Sequence, residues 1–293
     1  MPTKISQPLR IAGVPEHFNL PWRERSWLHA TQPDIYDPIH YLEAAAGTGA
    51  MTAQLANNEV DLAILLTEGA VRDIARGGRH RIIKVYVDTP LEWGVHVAAN
   101  SDLTSIDDAK GKRYAISRKG SGSHIMAAVH AASLSWPTEN LDFVQVDTLR
   151  GARKSLPAGE ADVFFWEKTM THPYVEAGEF RRIGVFQSPW PSFVVCASQS
   201  CLETKEDQVR ALLNDINALS MRLQNNQDAA QLISNAYGIT VDAASKWLGY
   251  TSWNTNLDLP FDTLQSVLDA LTNLWPELRE FGGSERLVHD LSE

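Results

Sequence analysis

The sequence has little cysteine, and its histidines are scattered. Only two cysteines occur, Cys196 and Cys201, and their spacing differs from the CxxC pairs of redox and zinc sites. We therefore expect reduced thiols, with a local disulfide or a reactive thiol as the alternative. The nine histidines form neither an HExxH pair nor a Cys/His cluster. We expect no metal and no cofactor.

The sequence also lacks a basic run and a long apolar run. Its formal net charge is −10, and basic residues are interspersed with acidic ones. A polybasic stripe that would bind phosphate backbones or anionic lipid is therefore missing. No window approaches the ~20 consecutive apolar residues of a membrane helix. We expect neither nucleic-acid binding nor membrane insertion.

The beginning of the sequence, MPTKISQPLRIAGV, contains Lys4 but neither the apolar region nor the small-residue cleavage site of an export signal. As written, the sequence predicts a cytoplasmic protein. The alternative is a periplasmic or extracellular domain whose leader was removed or lies on another subunit.

Length and pattern predict two α/β lobes. The chain has 293 residues, about twice the length of a typical domain of ~100–150 residues. Apolar strand-like runs at 8–14, 61–66 and 81–88 alternate with helical segments, and strands at 112–117 and 141–147 repeat the alternation. Such alternation is typical of a parallel sheet covered by helices.

A short match links the two regions. LANNEVDLAI (55–64) aligns without gaps on LPAGEADVFF (156–165), and each reads as a helix end, a turn and a buried strand. A duplicated lobe is one explanation of this match, and chance or shared turn chemistry alone is the other. The match supports two lobes of similar construction.

The region after residue ~204 differs from both lobes. Apolar residues at helical spacing predict a long amphipathic helix, followed by helices at 227–237, at 241–248 ending at Gly249, and at 260–275. We expect these helices to pack on the first lobe.

Two extended segments, 93–100 and 193–198, flank the second α/β region. They predict a double crossover that acts as a hinge. Lobe one then comprises residues 1–97 and 194–293, lobe two comprises residues 98–193, and the ligand cleft lies between them.

Several phrases, in this order, resemble the type II periplasmic-binding-protein fold over roughly residues 8–200. The phrases are RIAGV, GTGAMTAQLANNEVDLAI, SDLTSIDDAKGKRYAIS, GSGSHIMA and LPAGEADVFFWE. The third is similar to the family's Ser-Asp-Leu, Asp-Leu-Lys-Gly-Lys phrase, with Ala109 in place of the usual Leu. The chain looks most like the nitrate, taurine and alkanesulfonate group of ABC-type substrate-binding proteins and its thiamine-pyrimidine relatives. The resemblance implies lobes that close on a ligand and, for an exported protein, an ABC permease as partner.

Ligands of open α/β sheets bind beyond the carboxyl ends of the strands, so residues that follow strands are the candidates. Glycine and hydroxyl residues at helix starts can offer backbone amides, tryptophans can stack on a ring, and carboxylates suit an amine. In each case capping, core packing or solvation is the alternative. The predicted ligand-binding residues are Glu16, His17, Phe18, Asn19, Trp22, Gly47, Thr48, Gly49, Thr67, Glu68, Asp88, Trp93, Ser117, Lys119, Gly120, Ser121, Gly122, Ser123, His124, Trp166, Glu167 and Trp190.

The expected function is that of a monomer that binds a small molecule, a sulfonate, a zwitterion or a planar pyrimidine-like compound, as the substrate-binding component of an ABC-type importer. A cytoplasmic ligand sensor or an enzyme of the same fold is the alternative. A lyase or dehydratase could use Glu16, His17 or His124 as acid–base groups. The aryl-sulfinate desulfinase relatives need a cysteine in the first βα loop, which is absent here, and two cysteines cannot supply the cysteine-rich segment of the yeast-type pyrimidine synthase.

Overall fold

A computed structural model describes residues 7–32, 37–44 and 47–291. The strands are β1 (Leu9–Gly13), β2 (Ile39–Glu43), β3 (Leu62–Leu66), β4 (His80–Ala98), β5 (Arg113–Ile116), β6 (Asp142–Gln145), β7 (Val163–Glu167) and β8 (Phe180–Ser198). The helices are α1 (Leu20–Thr31), α2 (Thr48–Ala56), α3 (Thr67–Ala75), α4 (Gly122–Ser133), α5 (Leu149–Ser155), α6 (Lys168–Glu176), α7 (Gln199–Gln224), α8 (Ala229–Tyr237), α9 (Val241–Tyr250) and α10 (Phe261–Leu274).

The strands form one mixed sheet in the order β2-β1-β3-β8-β4-β7-β5-β6. Strand β1 pairs in parallel with β2 and β3, and β5 pairs in parallel with β6 and β7. We call β1–β3 with α1–α3 the first half, and β5–β7 with α4–α6 the second half. The predicted α/β class with parallel strand groups is confirmed.

Two long antiparallel strands, β4 and β8, connect the halves. The end of β8 pairs with β3, whereas the end of β4 pairs with β7, so each long strand contributes to both halves. The register between them shifts repeatedly around the pair Pro90 and Pro191. Proline has no N–H to donate to a ladder, so neither Pro90 nor Pro191 can donate a backbone hydrogen bond between the two strands. The extended segments predicted at 93–100 and 193–198 are therefore ends of two longer strands.

The ungapped match in the sequence corresponds to a match in structure. Asn58 and Gly159 lie in the turns that follow α2 and α5, and both have a positive φ, 54° and 68°. The register is equivalent as well, since Ile11 pairs with Leu62 in the first half and Tyr114 pairs with Val163 in the second. The two halves therefore share strand order, turn geometry and register.

One ion pair is repeated in the same place. Asp61 accepts hydrogen bonds from the backbone N and the guanidinium of Arg10, at 2.8–3.2 Å. Asp162 accepts from the backbone N and the guanidinium of Arg113, at 2.8–3.0 Å. Each carboxylate fixes the start of its β3 or β7 strand against the neighbouring strand.

The C-terminal helices pack mainly on the first half. Helix α7 contacts α1, and α10 contacts α3 but also α4 of the second half. Helix α9 continues through Gly249 to Tyr250, so the predicted stop at Gly249 was wrong; one helical glycine costs only ~1 kcal/mol, which packing can offset. Cys196 and Cys201 are free and buried. Among the described helices, none combines the length and apolar character needed to cross a bilayer.

Candidate ligand-binding cavity

A cavity of about 280 Å³ lies where the carboxyl ends of both parallel strand groups meet. Its walls come from residues that follow β1, β2, β5, β6 and β7, from the last residues of β3 and β7, and from side chains of β4 and β8. The lining residues are Val14, Pro15, Glu16, Gly47, Thr48, Leu66, Leu91, Trp93, Ser117, Arg118, Ser121, Gly122, Ser123, Asp147, Thr148, Leu149, Arg150, Trp166, Glu167, Met170 and Phe193.

Many of the predicted binding residues meet at this cavity. They are Glu16, Gly47, Thr48, Trp93, Ser117, Ser121, Gly122, Ser123, Trp166 and Glu167. Both glycine–hydroxyl helix starts are present, one from each half. Their role in binding stays a prediction, which their common location supports.

The loop after β1 contributes less than predicted. Residues 17–19 form a short helical turn that directs its side chains into the core. The His17 ring lies 4.2 Å from the Trp247 ring, Phe18 packs against Phe193, and Trp22 is fully buried. These three residues and Asn19, which donates to the Val14 carbonyl, lie outside the cavity lining.

The start of α3 is fixed to β8 rather than open to the cavity. Thr67 Oγ1 donates to the Pro191 carbonyl at 2.5 Å, and Trp190 Nε1 donates to Glu68 Oε2 at 2.9 Å. All three side chains are buried. Thr67, Glu68 and Trp190, each predicted to bind ligand, instead connect the first half to the long strand.

The remaining predicted residues also lie elsewhere. Gly49 faces the Arg118 side chain, and exposed Asp88 accepts a hydrogen bond from Asn254. Lys119 and His124 line a separate hollow, and Gly120 lies against Arg72. The prediction took every residue of a strand-end loop as cleft-facing, whereas such a loop has two sides.

The turn after β6, where Asp147, Thr148, Leu149 and Arg150 line the cavity, was not among the predicted binding residues. The signal for it was present. In the ungapped match, residue 55 aligns with residue 156. When the same alignment is extended toward the N-terminus, Gly47–Thr48 align with Thr148–Leu149. Helices α2 and α5 do begin at these equivalent positions, Thr48 and Leu149. The match was too short to justify that extension without the strand register.

The cavity wall at the long strands consists of two equivalent residue pairs. Leu66 of β3 pairs with Phe193 of β8, and Glu167 of β7 pairs with Trp93 of β4. Trp93 is 4% exposed, and its Nε1 has no hydrogen-bond partner among the described residues. An unpaired buried donor costs free energy, and Trp93 Nε1 has almost no exposed surface through which a ligand could reach it.

Hydroxyl groups organise the loop between β5 and α4. Ser123 Oγ accepts from Ser117 N at 3.0 Å and lies 3.1 Å from Ser121 Oγ. A Cβ on Gly122 would lie 2.4 Å from Leu66 Cδ1 and 2.8 Å from Trp93 Cη2. Only glycine lets this loop of the second half approach the first half so closely.

Two carboxyl groups in the cavity resist ionisation. Burial, together with the charge of Glu167, raises the pKa of Glu16 to about 8. Burial raises the pKa of Glu167 to about 7 and outweighs the hydrogen bonds from the Thr169 and Met170 amides. A cationic group placed near both carboxyls would favour their ionised forms.

Two guanidinium groups, those of Arg118 and Arg150, line the same cavity, and burial lowers the pKa of Arg118. The cavity therefore offers sites for both signs of charge. Trp93, Trp166 and Phe193 supply apolar and aromatic surface. Within the described parts of the chain, no group of three or more His, Cys, Asp and Glu side chains could hold a metal ion.

Comparison with known proteins shows which fold this chain has. It is the type II periplasmic-binding-protein fold, which the resemblance in the sequence implied. Residues 93–186, about a third of the chain, match the family model described as Ca3427-like periplasmic-binding protein.

Solved structures agree over nearly the whole chain. The Candida albicans CA3427 gene product, described as defining a new family with the generic periplasmic-binding-protein fold, is 26% identical with a TM-score of 0.88 and covers 97% of this chain and 96% of its own. The alkanesulfonate-binding protein SsuA from Xanthomonas axonopodis pv. citri, bound to MOPS, is 16% identical with a TM-score of 0.81, covering 97% and 99%. SsuA from Escherichia coli is 15% identical with a TM-score of 0.70, covering 97% and 92%. No curated protein sequence matches the chain.

Proposed function

We propose that this protein binds a small zwitterionic organic molecule in the cavity between its two halves. The observation that carries the proposal is the combination of Glu16 and Glu167 with Arg118 and Arg150 in one space of about 280 Å³. An ammonium group of the ligand would lie near the carboxylates and its acidic group near the guanidiniums. The volume is close to the lower limit of ~300 Å³ for ligand pockets, which suits a metabolite-sized ligand.

A sulfonate or carboxylate fits the anionic end of this ligand. The Xanthomonas relative is bound to MOPS, a molecule that carries an amine and a sulfonate. A bare anion such as nitrate fits less well, because it could contact the guanidiniums but would leave both carboxyl groups without a cationic partner. A planar pyrimidine-like ligand could stack on Trp93 or Trp166, but it would leave the arginines unused.

We further propose that the two halves are lobes with the limits 1–97 with 194–293 and 98–193, and that they open and close where β4 and β8 pair irregularly at Pro90 and Pro191. Delivery to an ABC permease, with the chain in the periplasm, is the proposed role. Release of the native protein from whole cells by osmotic shock would support that role, and retention in the cytoplasm would favour a ligand sensor.

The test of binding begins with native mass spectrometry of the purified protein, followed by calorimetry with three matched compounds: taurine, ethanesulfonate and ethylamine. We expect the zwitterion to bind at least tenfold more tightly than either singly charged compound. Equal affinity for ethanesulfonate would contradict the zwitterion proposal. Chemical turnover of a bound compound would contradict a pure binding function and favour the enzyme alternative, for which Glu16 is the one predicted acid–base residue that lines the cavity.

Two charge-removing variants locate the ligand. Glu16→Gln and Arg118→Gln should each weaken binding at least tenfold, because each removes a charge-assisted contact worth roughly 1.5–3 kcal/mol. Exposed Glu160→Gln and Arg79→Gln are matched controls that should leave affinity unchanged. Unaltered affinity in both cavity variants would place the ligand elsewhere.

A further inference from the structure

A second hollow, of about 620 Å³, lies on the other side of the loop between β5 and α4. The first half contributes Arg72 of α3 and Arg76, which directly follows this helix. The second half contributes Lys119, His124 and Phe143. Trp275, directly after α10, closes one side. The residues of this hollow and those of the ligand cavity do not overlap.

The polar groups of this hollow are predominantly donors. The Gly120 backbone N donates to His124 Nδ1 at 3.1 Å, so the neutral imidazole carries its proton on Nε2. Burial, with the charges of Arg72 and Lys119, lowers the pKa of His124 to about 4, which keeps the ring neutral at physiological pH. His124 therefore contributes an N–H donor beside two cations.

Arg72 is held in place, and no carboxylate of the described residues forms an ion pair with it, although the charges of Asp73 and Glu277 favour its cationic form. Its guanidinium lies 5.0 Å from the centre of the Trp275 ring and packs against Gly120, where a Cβ would lie 2.6 Å from Nη1. Its Nε is buried without a hydrogen-bond partner among the described residues. Arg76, in contrast, pairs with Glu277 at 3.1 Å. Glu139 is the one carboxylate in the lining, against three cationic side chains.

Aromatic rings form the apolar part of the hollow. The His124 ring lies 4.5 Å from the Phe143 ring and 5.8 Å from the Trp275 ring. A planar ring entering the hollow would meet these surfaces, while its charge would meet the donors.

We propose that this hollow is a second binding site, which takes a small aromatic anion such as an aryl phosphate or aryl carboxylate. The anionic group lies between Arg72 and Lys119, and the ring packs against Phe143 and Trp275. Since Arg72 belongs to the first half and Lys119 to the second, the bound anion connects the two halves. The site does not depend on the zwitterion proposed for the cavity.

The test is calorimetry in low-chloride buffer with phenyl phosphate, and with inorganic phosphate as the probe that lacks the ring. We expect phenyl phosphate to bind at one site, at least tenfold more tightly than inorganic phosphate. Lys119→Met should weaken phenyl phosphate at least tenfold, and Lys119 is exposed, so the variant should fold. Exposed Lys110→Met is its matched control. Arg72→Gln should give a similar loss, with Arg79→Gln as control.

Three outcomes would overturn the proposal. The first is no binding of phenyl phosphate in the millimolar range. The second is equal affinity for inorganic phosphate, which would remove the aromatic part. The third is binding that Lys119→Met leaves intact but Arg118→Gln abolishes, which would place the anion in the cavity. Binding that survives Arg118→Gln and fails in Lys119→Met would support the second site even if taurine did not bind.

Discussion

At the end of β3 the first half presents Leu66 paired with Phe193, and at the equivalent end of β7 the second half presents Glu167 paired with Trp93. At the starts of β3 and β7, the Asp61–Arg10 and Asp162–Arg113 contacts repeat almost atom for atom. The contacts that set strand register are thus shared, whereas the residues that face the cavity differ. This comparison separates scaffold from binding surface within each half, and the predictions below test that separation.

The largest expected effect concerns the scaffold. Asp61→Ala should lower the free energy of unfolding by about 2–4 kcal/mol, and Asp162→Ala by about 1–2 kcal/mol, because the Asp61 side chain is 6% exposed and that of Asp162 is 28% exposed. Asp61 also accepts from Lys205. Urea unfolding measures both losses, with exposed Glu160→Gln as control. Equal losses would show that burial does not distinguish the two contacts.

The next largest effect concerns how closely the two halves approach each other at Gly122. Gly122→Ala places a methyl group against Leu66 and Trp93 and should cost about 1–3 kcal/mol as overpacking, while also weakening ligand binding. Gly49→Ala meets only the flexible Arg118 side chain, at 2.9 Å from Nε, and should cost less. Calorimetry and small-angle X-ray scattering compare the two variants. A larger loss of stability from Gly49→Ala than from Gly122→Ala would contradict the assignment of the tight contact to Gly122.

Glu16 should make the unliganded protein less stable as pH rises. Its folded pKa of about 8 lies above the unfolded value near 4.5, so its contribution is complete below pH ~4.5 and is lost between pH ~4.5 and 8. Glu16→Gln should therefore raise Tm by about 2–4 °C at pH 8, with the difference vanishing near pH 4. A Tm gain that is the same at both pH values would exclude the titration of Glu16 as its cause.

The smallest expected effect concerns two histidines, His17 after β1 and His124 after β5. His17 is fully buried and neither ring nitrogen has a partner among the described residues, whereas His124 accepts from Gly120 N. Burial lowers the pKa of His17 to about 3, so stability is lost as pH falls below the unfolded value near 6.5. His17→Phe should stabilise the protein by about 1 kcal/mol at pH 7 and by more at pH 5. Destabilisation at both pH values in thermal unfolding would indicate an unrecognised role for His17.

Local patterns in the sequence were sufficient for the alternation of strands and helices, the turn at Asn58 and its equivalent at Gly159, and the location of the strand ends. These features depend on residues that are neighbours in sequence: apolar runs, glycine or asparagine at positive φ, and capping groups. The glycine–hydroxyl loops at Gly47 and Ser121 were found for the same reason.

Only the tertiary structure decided which side of each strand-end loop faces the cavity. Ser121 and Ser123 line it while Lys119 and His124 line the second hollow, and His17 points into the core only one residue after Glu16. Consecutive residues of a helix differ by about 100° in direction, so orientation depends on what packs against the turn. Those packing partners, such as Trp247 for His17 and Trp275 for His124, lie more than a hundred residues away in sequence. The sequence by itself therefore determined the fold and the set of candidate loops, and long-range packing determined which side chains form the site.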